Sequence, residues 1–307
     1  MIELTREYPQ IVWDAETIYD ATQLIRLAIR EDLDRSFDLT TIALVPPQAA
    51  AVAEIRSRST GVIAGTPIVN LTIEIMNLRA SFAPRICDGE SVTPGAIIGV
   101  LEGNAQDILV AERTILNLLG KLSGVSTLTR RYVDAIRHTK ARIYDTRKTT
   151  PGYRRLEKYA VKQGGGMNHR LGLYSAILIK DNHLVVGREA NVASYSPAEA
   201  IERTRKYLRE QSPPLNVMLE IEVDSLLQLA EVLPHSPDIV LVDNFAIELL
   251  SEAVALRNRL APHVELEASG GVRLETVTQI AETGVDRISA GALTHSSIQL
   301  DFGLDFV

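Results

Sequence analysis

The chain has 307 residues, 46% of them hydrophobic and 23% charged, with a formal net charge of −7 and an isoelectric point near 5.5. That length holds two domains or one large α/β unit with a substantial core, and no apolar run approaches the roughly 18 residues a membrane span needs. The acidic balance also argues against nucleic acid as a partner, since that asks for a basic domain.

The N-terminal stretch MIELTREYPQIVWDAE carries neither an apolar region nor a small-residue cleavage site, so no secretory signal is read there. Residues 16–31, ETIYDATQLIRLAIRE, place Ile18, Ala21, Leu24, Ile25, Ala28 and Ile29 at helical spacing, which predicts a helix with one buried face. Between Ala50 and Glu102, β-branched runs (AAVAEIRS, GVIAG, SFAPRI, AIIGVLEG) alternate with DGE and TPG, the pattern of strands joined by tight turns. DGESVTPGAIIGVLEG has the strand pattern of a lipoyl-type half-barrel but no lysine at a hairpin tip, so it reads as scaffold. Cys87 is the one cysteine; no intrachain disulfide can form, and a reducing, cytoplasmic setting is expected. From Asn104 to Thr139 the pattern is helical again. Arg113, four residues after Leu109 and three before Leu116, flanks an apolar stripe, where an arginine lays its stem on the core.

The second half alternates β-rich runs (ARIYDTRK, SAILIKDNH, NVMLEIEVD, DIVLVDNF, VELEASGG, DRISAGALT) with helical segments. This predicts a parallel sheet, and six consecutive units favour a closed or nearly closed β/α barrel. A doubly wound sheet is the competitor, but no GxGxxG follows the first strand. Each run ends in polar groups: Asp145 and Arg147, Lys180 and Asp181, Glu220 and Glu222, Asp243, Ser269 with Gly270, and Ser289 with Gly291. Active sites of β/α barrels form at those ends, and glycine-containing loops after the last two strands commonly take phosphate.

Within DTRKTTPGYRRLEKYAVKQGGGMNHRLG, the span from Arg147 to Arg170 sets seven Lys or Arg (147, 148, 154, 155, 158, 162, 170) and His169 against Glu157 alone. So much local positive charge in an acidic chain points to a small polyanion. Glu222 and Asp243, at adjacent strand ends, can do acid–base work, hold a divalent metal through water, or stabilise a developing cation. HExxH, DxDxDG, GxSxG and cysteine-cluster motifs are absent; KDNH offers Asp181 and His183 at low specificity. A polyanionic, phosphate-bearing ligand with a cationic centre forming during reaction describes phosphoribosyl transfer, where cations hold the leaving anion and carboxylates face the sugar.

In combination, EDLDRSFDLTT, ERTILNLLGKLSGVSTLTRRYV, DTRKTTPGYRRLEKYAVKQGGGMNHRLGL, LIKDNH, LEIEV, LVDNF, LEASGGV and GVDRISAGALTHSS resemble the quinolinate phosphoribosyltransferase family over nearly the whole chain. The resemblance implies an α/β fold: an N-terminal α/β domain over 1–118, open-sandwich-like and rejoined by a tail at 295–307, and a partial barrel of about six parallel strands over 119–294. It implies conversion of quinolinate and phosphoribosyl pyrophosphate to nicotinate mononucleotide, pyrophosphate and CO₂, with Mg²⁺ carried by the phosphoribosyl pyrophosphate, in a homodimer. Arg147, His169, Arg170 and Lys180 match the groups that hold the two carboxylates of quinolinate, and Thr146 is counted with the substrate contacts. Lys148 matches a donor to phosphoribosyl pyrophosphate, and Glu222 and Asp243 the carboxylates facing the ribose and its metal. Ser269, Gly270 and Gly271, and Ala290, Gly291 and Ala292, fall on the 5′-phosphate loops. Arg113 matches an arginine supplied by the neighbouring subunit, which displaces the snorkelling reading. Lys148, Lys180, Glu222 and Asp243 are the expected catalytic set. Tyr174–Ser175 and Gly120 depart from the family pattern, and Tyr174 stands where it can narrow the pocket. The rivals are a same-fold phosphoribosyltransferase resembling the molybdenum-operon homologue, with another acceptor, and a non-catalytic phosphate-binding regulator.

Overall fold

The computed structural model describes residues 7–187 and 195–307. They form two compact units that interleave along the chain. One takes 10–131, 148–166 and 293–307; the other takes the described residues of 1–9, 132–147 and 167–292. The boundary expected at 118/119 falls inside one continuous helix, Ala105–Ile136.

The first unit opens with α1 (Ala15–Leu33), started by Asp14, whose carboxylate accepts the Thr17 N–H at 2.9 Å. Its buried line runs Thr17, Ala21, Ile25, one helical turn apart, while Ile18 of the expected face is exposed. There follow α2 (Leu39–Leu44), β1 (Ala50–Ser57), β2 (Gly61–Val62), α3 (Pro67–Met76), β3 (Ala80–Pro84), β4 (Ser91–Val92), β5 (Ile97–Asn104), the long α4 (Ala105–Ile136) and α5 (Arg154–Gln163). The β-branched runs of 50–104 are therefore strands. β1, β3 and β5 join an antiparallel sheet whose outer strand, β12 (Phe302–Phe306), comes from the C-terminal tail, with Ala53 opposite Phe306. Ile55, Ile98, Ile108, Ile115 and Leu119 pack beneath it with Leu300 and Phe302 of the tail. Gly120 sits where the tail crosses α4, its carbonyl accepting the Leu300 N–H at 2.9 Å.

The second unit carries a parallel sheet of β6 (Arg142–Tyr144), β7 (Ile177–Ile179), β8 (Leu219–Val223), β9 (Ile239–Asp243), β10 (Glu265–Ser269) and β11 (Arg287–Ser289). The order is β6-β11-β10-β9-β8-β7, so β6 and β7 are edges and the barrel is partial. Side chains alternate between faces with period two, and the register aligns one set of positions across all six strands. Arg142 pairs with Arg287, Arg287 with Glu267, Glu267 with Leu241, Leu241 with Glu222, and Glu220 with Leu178. One face therefore carries Arg142 and Tyr144, Arg287 and Ser289, Glu265, Glu267 and Ser269, Asp243, and Glu220 and Glu222. The other face carries Ile143, Ile288, Leu266, Val240, Val242, Ile221 and Val223, buried with the surrounding helices.

At the N-terminal ends of these strands the charges are tied together through Glu7. Its carboxylate accepts from Arg142 at 2.6 Å, from the Tyr144 hydroxyl at 2.8 Å and from Arg287 at 3.3 Å. Glu265 pairs with Arg142 at 3.0 Å and also with Arg287, which is fully buried. Removing one partner of a buried ion network strands the others. Arg287→Met is expected to lower the unfolding free energy by about 3 kcal/mol, measured by urea titration; a loss below about 1 kcal/mol would show that these pairs do not hold the sheet.

Candidate active site

At the C-terminal ends of the strands, Lys180 follows β7 and its ammonium contacts the Glu222 carboxylate of β8 directly. Asp243 pairs in register with Ser269, so Glu222, Asp243 and Ser269 lie on the same face at neighbouring strand ends. Gly270 has φ +87°, and a Cβ there would lie 2.2 Å from Asn244 Oδ1. Only glycine lets this loop close against Asn244, whose N–H donates to the Ser269 carbonyl at 2.9 Å. Gly271, also left-handed at φ +60°, faces open space. Ala290 donates its N–H to the Tyr144 carbonyl at 3.0 Å, extending the sheet into the second glycine loop, where Gly291 and Ala292 are half-buried.

Below these ends lies a buried polar node. Asp145 accepts the His169 N–H at 2.9 Å and the Asn168 amide at 2.7 Å. It thus spends its carboxylate clamping the Asn168–His169 turn, although its place at a strand end suggested a ligand contact. Nδ1 of His169 accepts the Arg170 N–H at 2.8 Å, while Nε2 lies 3.1 Å from Glu220 and 3.4 Å from Glu267. The Tyr8 ring stacks on the imidazole at 4.6 Å, and its hydroxyl donates to Glu220 at 2.7 Å. Donor atoms of His169, Glu220 and Glu267 all fall within 4.8 Å of one another, a spacing a metal ion can bridge. The tautomer argues otherwise: a ring that accepts at Nδ1 carries its proton on Nε2, so the nitrogen facing the carboxylates donates instead of ligating.

Both carboxylates are fully buried, and they divide their charge. Burial pushes Glu220 up, but His169 and the hydrogen bonds from His169 and Tyr8 outweigh it and hold its pKa below the ordinary range. Glu267, disfavoured by burial and by the Glu220 charge, is pushed up to about 7. Burial and the nearby Arg147 charge lower the pKa of Arg170.

Thr146 and Arg147 are half-buried after β6. Lys148 is exposed, its carbonyl accepting from the Thr294 hydroxyl at 2.7 Å. The Arg113 side chain is 63% exposed, with Glu112 at 3.7 Å. Of the remaining cations in the basic stretch, Arg155 pairs with Asp20 of α1 at 3.2 Å, Arg154 donates to the Thr149 hydroxyl at 3.0 Å, and Lys158 is wholly buried. The triple glycine packs on α4: a Cβ on Gly164 would lie 2.5 Å from the Ser126 carbonyl, and one on Gly166 2.7 Å from Thr129. His183 accepts the Lys180 N–H at 2.9 Å and caps a short helix, α6 (Asp181–Val186). A cavity of about 830 Å³ runs along edge strand β7, lined by Arg170, Leu173, Ile179, His183 and Tyr207 among others; Glu222 and Asp243 do not line it. Tyr174 is 76% exposed and does not line it either. Sequence reasoning missed Tyr8 and Glu267. Glu267 was signalled by the alternation in ELEAS, Tyr8 by nothing around it.

The raised pKa of Glu267 has a definite sign in stability. Unfolded, the group titrates near 4.5, so between pH 4.5 and 7 the folded state binds the extra proton, and stability is lost as pH rises through that window. Glu267→Gln stays neutral throughout. Unfolding free energies at pH 5 and pH 8 should shift relative to wild type by on the order of 2–3 kcal/mol in the variant's favour at the higher pH; an unchanged difference would mean that Glu267 is ionised at both.

No helix among the described residues is long and apolar enough to cross a membrane. Residues 38–123 match the model of the quinolinate phosphoribosyl transferase N-terminal domain, and 125–305 that of the C-terminal domain. A nicotinate-nucleotide pyrophosphorylase [carboxylating] of Mycobacterium leprae is 43% identical over 289 residues, 93% of this chain and 96% of that protein. A mitochondrial quinolinate phosphoribosyltransferase [decarboxylating] of Nicotiana tabacum is 34% identical, covering 94% of this chain and 83% of that one. The solved nicotinate-nucleotide pyrophosphorylase of Francisella tularensis superposes with a TM-score of 0.87 at 34% identity, over 98% of this chain and all of that one. The chain belongs to the quinolinate phosphoribosyltransferase family.

Proposed function

We propose that the chain joins quinolinate to phosphoribosyl pyrophosphate, giving nicotinate mononucleotide, pyrophosphate and CO₂ in de novo NAD biosynthesis. Family membership supports the reaction, and the observation that carries its chemistry is the row of Lys180, Glu222, Asp243 and the Ser269–Gly271 loop on one face of the parallel sheet. Arg147, Arg170 and Lys180 receive the two carboxylates of quinolinate. His169, whose ring nitrogens are engaged with Arg170, Glu220 and Glu267, acts through Arg170. Lys148, next in sequence to Arg147, donates to phosphoribosyl pyrophosphate, and Thr146 adds a polar contact. The loops at 269–271 and 290–292 take the 5′-phosphate.

The pyridine nitrogen attacks C1 of the ribose as the bond from C1 to the pyrophosphate oxygen breaks. Positive charge that develops on the sugar faces Glu222 and Asp243. The ribosylated ring nitrogen is cationic, so the C2–carboxylate bond can break with its electron pair held on C2. CO₂ leaves and C2 takes a proton. In the free site Lys180 neutralises Glu222; a substrate carboxylate that takes Lys180 for itself leaves Glu222 facing the sugar. Glu222 and Asp243 also supply hard oxygen donors of the kind Mg²⁺ takes, and they would hold the ion beside the ribose, where it neutralises pyrophosphate charge. We assign exposed Arg113 to the site of the partner subunit in a homodimer. A cytoplasmic setting accords with the single, unpaired cysteine.

Two experiments test this. Four cations around one ligand are costly to leave half-paired, so nicotinate, which lacks the 2-carboxylate, should show a kcat/KM lower than quinolinate by roughly 10⁴ or more, with phthalate inhibiting. Comparable values for the two acids would move the assignment to a same-fold enzyme with another acceptor. Arg113→Ala and Lys148→Ala homodimers should each be inactive. Refolded together, they should regain part of the activity, because a mixed dimer keeps one intact site; no recovery would place Arg113 in its own subunit's site or outside any site.

A further inference from the structure

Tyr8 precedes the first helix, remote in sequence from every motif considered above, and it is 2% exposed. Its ring lies on the His169 imidazole with centroids 4.6 Å apart and planes inclined 30°. Its hydroxyl donates to Glu220 Oε2, the same oxygen that faces His169 Nε2 at 3.1 Å. One carboxylate oxygen therefore ties together two rings that already stack, and this fixes both the imidazole plane and the position of its proton. The Arg287 guanidinium lies over the Tyr8 ring, 5.7 Å from its centre, and Glu267 stands at 3.4 Å from the same imidazole nitrogen.

We propose that Tyr8 is a positioning residue for the dicarboxylate substrate: with Glu220 it locks His169 as the Nε2–H tautomer, and His169 Nδ1 in turn anchors Arg170. This rests on the reading that Arg170 receives a quinolinate carboxylate. The lock is needed because Nδ1 can accept the Arg170 N–H only while the proton stays on Nε2. An imidazole freed from Glu220 can turn over, and that change converts Nδ1 from an acceptor into a clash of two N–H groups. Arg170 would then lose its backbone anchor, leaving its guanidinium held by the Ala176 carbonyl, to which it donates at 3.3 Å. Tyr8 is suited to the task because burial, followed by the charges of Glu220 and Glu267, holds its pKa far above the ordinary tyrosine value, so the hydroxyl remains a donor at any working pH.

The test combines kinetics with a direct view of the ring. Tyr8→Phe keeps the stack and removes the donor. It should raise KM for quinolinate about tenfold or more while KM for phosphoribosyl pyrophosphate stays near wild type. Tyr144→Phe is the comparison, since it deletes another buried hydroxyl, one that binds Glu7; it should lower Tm without moving KM for quinolinate. Arg170→Lys tests the underlying reading: no change in KM for quinolinate would remove the carboxylate role and this inference together. A raised KM in Arg170→Lys with none in Tyr8→Phe, or equal rises in both tyrosine variants, would overturn the role of Tyr8 alone. Nitrogen-15 spectra of labelled histidine in the wild-type protein need no variant to fold: an Nδ1–H signature at His169 would also overturn it, and an Nε2–H signature lost in Tyr8→Phe is the expected result.

Discussion

The hydrogen bond between His169 and Glu220, inside a sheet whose inner face is polar, is the constraint on which the rest of the site depends. Most β/α barrels fill their interior with layers of branched apolar side chains. In this chain the corresponding positions carry Arg287, Glu265, Glu267, Glu220 and Tyr144, most of them buried. Charges cannot lie in such a place without partners, so pairing runs in layers along the strands. Glu7, Arg142, Glu265 and Arg287 close the N-terminal layer, and Tyr8, Glu220, Glu267 and His169 form the middle one. Lys180 and Glu222, with Asp243 and Ser269 alongside, make the layer at the C-terminal ends. Pairs of this kind add little net stability over apolar packing. What they supply is orientation, because a buried ion pair has few geometries in which all of its donors and acceptors are met.

Two fully buried carboxylates around one imidazole make the middle layer asymmetric. The imidazole proton and the Tyr8 hydroxyl both point at Glu220, whose pKa is held below the ordinary range, while burial and the Glu220 charge push Glu267 up to about 7. Below that pH the layer carries close to one negative charge, with the Arg287 guanidinium next to it. As pH rises through that value Glu267 ionises beside Glu220, and the folded state loses stability.

Much of this was legible in the sequence, unevenly and for physical reasons. Six β-rich runs alternating with helical segments gave the parallel sheet, and the polar residues closing each run marked the ends where Lys180, Glu222, Asp243 and Ser269 meet. Reading those runs only as β-rich hid their interior: LEIEV, ELEAS and RIS place a charged or polar residue at every second position, which is a strand with one polar face. The basic stretch was read as pointing to a small polyanion, with Arg154, Arg155, Lys158 and Lys162 not all given to ligand; Arg155 answers Asp20, and Gly164 and Gly166 let the chain lie against α4. Close backbone approach requires glycine whatever the neighbour is, so the motif alone did not name the helix as the surface approached. Tyr8 was beyond reach because a single aromatic in TREYPQ carries no periodicity; its meaning lies in what it touches.

An acidic chain can hold a polyanion if its acids are already spoken for where the anion enters. Glu222 is the sharp case, since a bare carboxylate beside a substrate carboxylate would oppose binding, yet a sugar cation forming at C1 needs one. In the proposed reaction the contact with Lys180 meets both demands at different times. While the site is free, the ammonium cancels the carboxylate, and the pair presents no net repulsion to an arriving anion. If a substrate carboxylate then competes for Lys180, Glu222 is uncovered only in the presence of the ligand whose ribosylation it must assist. The lysine side chain is 40% exposed and the glutamate 15%, so the ammonium has room to move and the carboxylate has little. On the proposed reading, exchange of the mobile partner around the fixed one would put the stabilising charge where positive charge develops, with most of its reorganisation completed before the bond to pyrophosphate breaks.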